Sequence, residues 1–350
     1  MLLYNVLLLC LVLGVLLLLW RTDPRRAAPL VALCEMLLGG ASICGAIAVP
    51  AAGFGRLALL AWALFVHQPL LLAGIAILRV KRERLLAGGC ALLALAILLV
   101  GADAFLIEPH WLQVTHVTIP STKLQTPLRV AVIADLQTDA PRVYEERALA
   151  LAMAKQPDLI LLAGDYLHIA DPAEYATAKE ALNEILRRAD LTAPLGVYAI
   201  QGNVDHGDWE ELFAGLPVTP IAQTSALDLG PVVLTGLSLH DAFSTTLSIP
   251  PKPKLHIVLG HSPDFALGEI NADLLIAGHT HGGQIQLPFL GPIMTLSHVP
   301  RSWASGVTEI APGRTLIVSR GIGMERGGAP RVRFLCRPEI VILDLVPLSD

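Results

Sequence analysis

Gly278-His279-Thr280-His281-Gly282-Gly283-Gln284 follows directly on the apolar run Asp273-Leu274-Leu275-Ile276-Ala277, and this junction decides how the chain is read. The run has the length and composition of a buried strand. A strand that stops at Gly-His-x-His sets two neutral imidazoles at the edge of a sheet, where two metal ions a few ångströms apart can share them.

The same arrangement recurs along the chain. The β-branched run Leu128 to Ala134 ends at Asp135-Leu136-Gln137, Asp158 to Ala163 ends at Gly164-Asp165, Gly196 to Gln201 ends at Gly202-Asn203, and residues 254–259 end at Gly260-His261-Ser262-Pro263. Pro141 to Lys155 and residues 172–189 carry apolar residues at helical spacing, and further strands are expected at 226–238, 315–319 and 339–345. Alternating strands and helices predict an α/β (α+β) domain with two packed sheets flanked by helices. Side chains at the carboxyl ends of neighbouring strands converge on one crevice. A glycine beside Asp165, Asn203, His261 and His279 permits a sharp turn that aims each side chain there. Taken singly, Gly164-Asp165 and Gly202-Asn203 are ordinary turn signals and Gly260-His261-Ser262-Pro263 an ordinary helix cap. Their joint occurrence, in this order and at strand ends, points to a metal site.

These motifs together resemble the calcineurin-like metallophosphoesterases over residues 128–346. The family's D-x-H, G-D-x-x-D, G-N-H-[DE], G-H and G-H-x-H stand here as Asp135-Leu136-Gln137, Gly164-Asp165-Tyr166-Leu167-His168, Gly202-Asn203-Val204-Asp205, Gly260-His261 and Gly278-His279-Thr280-His281. The resemblance implies a four-layer sandwich, two β-sheets with helices outside, and a dinuclear metal centre. Asp135, Gln137, Asp165 and His281 would hold one cation and Asp165, Asn203, His261 and His279 the other, with Asp165 bridging. Such a donor set suits Mn²⁺ best, with Mg²⁺, Fe or Zn²⁺ as alternatives, and the family's chemistry uses two cations to hold phosphate oxygens and activate a hydroxide. The tail Ser319-Arg320-Gly321-Ile322-Gly323 and Arg333-Phe334-Leu335-Cys336-Arg337-Pro338-Glu339-Ile340, with the Gly-Gly-Gln extension, is similar to a membrane-associated branch of the family known for phosphodiesterases and including a lipid A precursor pyrophosphatase.

Three positions depart from the family pattern. Gln137 replaces a histidine, and its harder amide oxygen favours Mn²⁺ or Mg²⁺ over Zn²⁺. His168 replaces the last aspartate of G-D-x-x-D. Val204 replaces the histidine that stabilises the transition state or protonates the leaving group, a role that falls to His206 or His168 if either approaches the site. The catalytic set is therefore read as Asp165, Asn203, His206 and His279.

The chain has 350 residues, of which 54% are hydrophobic and only 16% charged. The excess lies before about residue 110, in four apolar stretches at 2–20, 28–50, 57–78 and 85–107, each near the roughly 20 residues that cross a bilayer core of about 30 Å. Four transmembrane helices are expected, then a connector over 108–127 and a metallophosphoesterase domain over 128–350. The first stretch lacks the basic n-region and the small-residue cleavage site of a secretory signal. Arg21, Arg25 and Arg26 in the first loop and Arg79, Lys81, Arg82 and Arg84 in the third, against Arg56 alone in the second, place loops one and three in the cytoplasm. The C-terminal domain then falls outside, periplasmic in a two-membrane cell. Cys10, Cys34, Cys44 and Cys90 lie in the apolar stretches, so Cys336 has no partner for a disulfide in its domain. A net charge of −5, with no long basic run after the apolar stretches, does not suggest a nucleic-acid partner, and none is expected.

The expected activity is a membrane-bound phosphoesterase acting on a lipid-linked or small-molecule phosphodiester or pyrophosphate. Two alternatives stay open: a catalytically silent module binding metal or phospholipid, and a cytoplasm-facing enzyme of the UDP-2,3-diacylglucosamine pyrophosphatase type. His240, Asp241 and His256 fit no motif and are read as surface or core residues. Arg320 and Arg326 are candidates for a phosphate clamp or for structural roles. Glu35, His67 and Asp103 are ionisable residues in apolar stretches, costly in lipid.

Overall fold

The computed structural model describes residues 1–50 and 54–348. Residues 51–53 of the second loop and 349–350 at the end of the expected domain lie outside the described residues. The chain forms two compact units, Met1–Ile107 with Gly328–Arg331, and Glu108–Gly327 with Val332–Asp350.

The first unit holds α1 (Leu2–Arg21), α2 (Pro24–Ala48), α3 (Gly55–Trp62), α4 (Gln68–Arg79) and α5 (Arg84–Ala102). A π-helical turn at Ala63–His67 joins α3 to α4 without a break, and another at Asp103–Ile107 extends α5. These make four helices long and apolar enough to cross a membrane. Most of their large apolar side chains face outward, as helices in lipid would: Leu2, Leu3, Leu85, Leu92 and Ile77 are all exposed.

The second unit is built on two six-stranded sheets. The first runs β1 (Gln113–Ser121), β16 (Glu339–Pro347), β2 (Leu128–Ile133), β3 (Leu159–Leu162), β4 (Val197–Ile200), β5 (Val218–Ile221). The second runs β14 (Gly306–Ala311), β15 (Arg314–Val318), β11 (Leu274–Ala277), β9 (Leu255–Leu259), β7 (Val232–Gly236), β6 (Ser225–Asp228). Two small pairs complete the strands: β8 (Ser248–Ile249) with β10 (Glu269–Ile270), and the hairpin β12 (Gln286–Leu287) with β13 (Gly291–Pro292). Strands β2, β3 and β4 are parallel, as are β7, β9, β11 and β15, so within each sheet these carboxyl ends lie on one side.

The side-chain alternation of strands decides the layers. On β2, Val130 and Val132 enter the core between the sheets with Leu159, Leu161, Leu259, Ile276 and Leu343. Ala131 and Ile133 face the opposite way, onto a core formed with Leu149 and Ala152 of α6 (Val143–Met153) and Leu182 and Ile185 of α7 (Pro172–Arg188). On the outer face of the second sheet, Val258, Leu275 and Val318 pack with Phe265 of a short helical turn at Pro263–Leu267. This is the mixed α/β arrangement of two sheets flanked by helices.

Two expectations are corrected. The segment read as a connector contains β1, which pairs in parallel with β16 from Gln113–Glu339 to Ser121–Pro347. The single strand expected at 226–238 is a hairpin of β6 and β7, turned at Gly230, whose φ of +92° suits glycine. His256 is a core residue, with its Nε2 2.8 Å from Thr235 Oγ1.

Candidate metal centre

The first sheet supplies Asp135 and Gln137 after β2, Asp165 after β3 and Asn203 after β4, while the second supplies His261 after β9 and His279 and His281 after β11. Asp135, Gln137, Asp165, His261 and His281 are all buried. One ligand atom each from Asp165, His261 and His279 lie within 4.8 Å of one another, and the same holds for Asp135, Asp165 and His281. Asp165 belongs to both groups. His261 Nε2 lies 3.0 Å from Asn203 Oδ1 and 3.3 Å from Asp165 Oδ2, which draws Asn203 into the first group.

The local backbone is unusual in a specific way. Asp135, Gln137, Asp165, His279 and His281 themselves adopt left-handed φ between 35° and 68°. Such conformations cost on the order of 1–3 kcal/mol each and persist only when the surrounding structure imposes them. The glycines beside them do something other than turn. Gly164 has φ +89°, but Gly202, Gly260 and Gly278 do not use the left-handed region. A Cβ on Gly202 would lie 2.1 Å from Asp165 Oδ1, and one on Gly278 2.5 Å from Asp135 Oδ2. These glycines make room for the carboxylates, and the ligand-type residues carry the turn.

Hydrogen bonds hold each group. Asp135 Oδ1 accepts the His279 amide at 2.9 Å, and Asp165 Oδ1 accepts the Val204 amide at 2.9 Å. Position 204 thus contributes its backbone N–H, which valine supplies as well as histidine. Asp205, the last residue of the G-N-x-D motif, accepts amides from Gly202, Asp165 and Tyr166 at 2.7–2.9 Å and ties the ends of β3 and β4 together. His261 Nδ1 donates to the Ala163 carbonyl at 2.8 Å, so Nε2 is the atom turned to Asp165 and Asn203. A carbonyl behind a ring nitrogen is the usual way a ligating imidazole is oriented.

The electrostatics show what the cluster lacks. Burial raises the Asp135 carboxyl to about 7 despite the nearby His261 charge. Burial pulls His261 down, but the Asp165 charge and hydrogen bond more than reverse it and leave the imidazole at about 9. For Asp165, burial acts upward, yet His261 brings it to about 2. Burial and the His261 charge lower His279 to about 4, while burial and Arg333 hold His281 well below its ordinary value. Burial at Asp135 and the Asp165 charge at His261 thus hold protons among the carboxylates and imidazoles where cations fit. Gln137 Oε1 adds a buried oxygen with no hydrogen-bond partner. Oxygen donors, imidazoles and an orphaned amide oxygen suit a hard to borderline divalent cation.

The expected proton donors separate clearly. His206 stacks on Tyr175, ring centroids 3.9 Å apart, and its Nε2 donates to the Ile169 carbonyl, so it is engaged outside the cluster. His168 Nδ1 lies 3.1 Å from Gln137 Nε2 and 3.5 Å from Glu325 Oε1, beside the cluster. Arg320 pairs with Glu339 at 2.6 Å, and Arg326 donates to the Gln137 carbonyl at 2.9 Å and lies 3.6 Å from Asp139, both structural roles.

Sequence reasoning passed over Arg333. It is fully buried, and its guanidinium donates to the carbonyls of Arg320, Gly321, Gly323 and Cys336. The loop it grips donates back to the strand end, Ile322 N to Ala134 O and Gly323 N to Asp135 O at 2.7 Å. Asp135 is thus backed by a loop that Arg333 holds closed. Its sequence signals are its place in the tail that resembles the membrane-associated branch and an apolar pair after it, neither of which assigns it a role at the site.

Comparison with known proteins agrees with this geometry. A family model described as calcineurin-like phosphoesterase matches residues 128–283. The metallophosphoesterase YkuE of Bacillus subtilis is 30% identical over 292 residues, covering 76% of this chain and 98% of YkuE. The phosphodiesterase YaeI of Escherichia coli is 26% identical, covering 68% of this chain and 90% of its own length. The UDP-2,3-diacylglucosamine pyrophosphatase LpxG of Chlamydia muridarum is 23% identical, with the same two coverages.

Proposed function

We propose, since this chain belongs to the calcineurin-like metallophosphoesterases and is a phosphate-ester hydrolase, that it is an integral membrane enzyme cleaving a lipid-linked phosphodiester or pyrophosphate on the outer side of the membrane. The observation that carries the chemistry is Asp165, buried and shared between two groups of ligand-type atoms. In this reading Asp135, Gln137, Asp165 and His281 hold one divalent cation and Asp165, Asn203, His261 and His279 the other, Mn²⁺ or Mg²⁺ being favoured by the Gln137 oxygen. When bound, the two cations supply positive charge to the phosphate oxygens and acidify a water.

The chain's own residues do the rest. The Ala163 carbonyl fixes His261, the Leu296 carbonyl accepts from His279 Nε2 at 3.2 Å, and the Val204 and His279 amides fix the two carboxylates. With no imidazole at position 204, leaving groups that need little protonation are favoured, which supports a diester or anhydride over an alkyl monoester. His168, beside Gln137, is the imidazole near the cluster that remains for the leaving oxygen, in place of His206.

Membrane embedding rests on the four apolar helices, and the outward orientation on the basic first and third loops. A site tethered to a bilayer meets lipid substrates at high effective concentration. The name of LpxG supplies a lipid pyrophosphatase precedent. A domain mapped to the cytoplasm would redirect the reading to a nucleotide-linked lipid.

The test is hydrolysis of bis-p-nitrophenyl phosphate and p-nitrophenyl phosphate by the full chain in detergent, with Mn²⁺, Mg²⁺ or Zn²⁺. Metal-dependent cleavage favouring the diester and lost in Asp165→Asn is expected. Bound metal without turnover on either substrate would replace the enzyme reading with a binding module.

A further inference from the structure

Between Gly282 and Pro300 the chain carries no Asp, Glu, Lys or Arg, a run of nineteen residues in a unit that is otherwise well charged. The run contains the β12–β13 hairpin, and most of its apolar side chains, Val299 and Ile285 apart, are not spent on a core. Phe289 and Leu290 at the tip are exposed at 107% and 73%, and Ile293, Met294 and Leu296 are exposed as well. Phe289 and Leu296 also hold left-handed φ of 67° and 53°. An exposed phenylalanine in a conformation that phenylalanine avoids is disfavoured twice over in water.

The hairpin is firmly rooted. Gln286 N donates to Phe334 O and Phe334 N to Gln284 O, both at 2.9 Å. Gly283 packs so closely that a Cβ there would lie 2.5 Å from Pro292. Its far arm returns to the metal centre, where the Leu296 carbonyl accepts from His279 Nε2. A rigid, uncharged, apolar tip continuous with the candidate catalytic residues is a surface built to leave water.

We infer that the Leu287–Leu296 hairpin inserts its tip into the lipid surface and so sets the metal centre against the plane of the bilayer. The occupant follows from the chain itself. The last of four helices apolar enough to cross a membrane ends at His110 and the first strand of the catalytic unit begins at Gln113, so only a short link tethers the catalytic unit to a segment that can span a bilayer. Interfacial segments of this kind enter about 5–10 Å, to the boundary of head groups and acyl chains, which is the level at which a lipid's phosphate meets its acyl chains. The inference rests on the membrane-anchored part of the proposed function and is independent of hydrolysis.

The test places an environment-sensitive fluorophore on Phe289→Cys of the full chain in phospholipid nanodiscs, after the two exposed cysteines Cys10 and Cys44 are changed to Ser. The same label on Asp228→Cys, an exposed residue paired with Lys254, serves as the control. Expected are a blue shift at 289, loss of emission with spin-labelled lipids carrying the label near the head of the acyl chain, and protection from aqueous iodide. The control should show none of these. A label at 289 quenched by iodide and indifferent to spin-labelled lipid, in protein that still hydrolyses the diester, would overturn the inference and leave the enzyme reading standing. A chain that stays soluble without detergent or lipid would overturn the membrane reading and the inference together.

Discussion

Loading the metal-free protein with Mn²⁺ should expel about two protons from its side-chain ligands at pH 6 and about one at pH 8, besides any proton lost by a bound water, because cations and protons compete for the same atoms. The count comes from the cluster. His279 and His281 are held neutral and Asp165 ionised, so these offer no proton to displace. Asp135 at about 7 and His261 at about 9 do. At pH 6 the first is about nine-tenths protonated and the second fully, whereas at pH 8 only His261 remains substantially protonated. The logarithm of the apparent affinity should then rise with pH, more steeply below pH 7 than from there to pH 9. The assay is titration calorimetry of the full chain in buffers of differing ionisation enthalpy, which reads the proton count directly. Affinity independent of pH, or protons taken up on binding, would refute the reasoning. The same groups set the stability of the metal-free protein. Asp135 and His261 both have folded values raised above their ordinary 3.8 and 6.5, so their contribution is full at low pH and is lost as pH rises through about 7 and then about 9. Metal should restore it.

Gly202→Ala forces a Cβ to 2.2 Å from the Asp165 backbone nitrogen, so it should lower stability by about 1–3 kcal/mol and weaken Mn²⁺ binding by about 10–100-fold, read by denaturant unfolding and calorimetry. Gly207→Ala, with nothing within 4 Å of its Cβ, should change neither, and equal behaviour of the two variants would refute the close-packing argument. Arg333→Met leaves the carbonyls of residues 320, 321, 323 and 336 without their donor and should cost about 3–5 kcal/mol in urea unfolding. Arg333→Lys should recover little of this, because an ammonium lacks the planar fork that spans four acceptors. A neutral Arg333→Met would remove Arg333 from the support of Asp135.

Much of the site was legible because its signals are local. Each expected ligand follows an apolar run within a few residues, with a glycine beside Asp165, Asn203, His261 and His279 though not beside Asp135 and Gln137, and the parallel order of the central strands carries those ends to one side. The strand at 113–121 was hidden for the opposite reason. It is half-exposed, contains Pro120, is flanked by Pro109 and Pro127, and is paired with residues more than two hundred positions away. Strands whose stability comes from such a ladder carry little periodic signal of their own. The sequence reading placed His206 rather than His168 in the catalytic set, and only the packing of Tyr175 on the first and of Gln137 and Glu325 beside the second reversed that choice.

The sequence by itself determined the family, the four apolar helices, the two-sheet catalytic unit and the identity of the residues gathered at its strand ends, since these depend on hydrophobic period and on short motifs. Only the tertiary structure decided that the glycines clear space while the ligand-type residues take the left-handed turns, that a buried arginine locks the loop behind Asp135, and that an apolar hairpin beside the site faces outward. Those are matters of close approach and burial between segments distant in the chain, and a linear pattern does not encode which atoms meet.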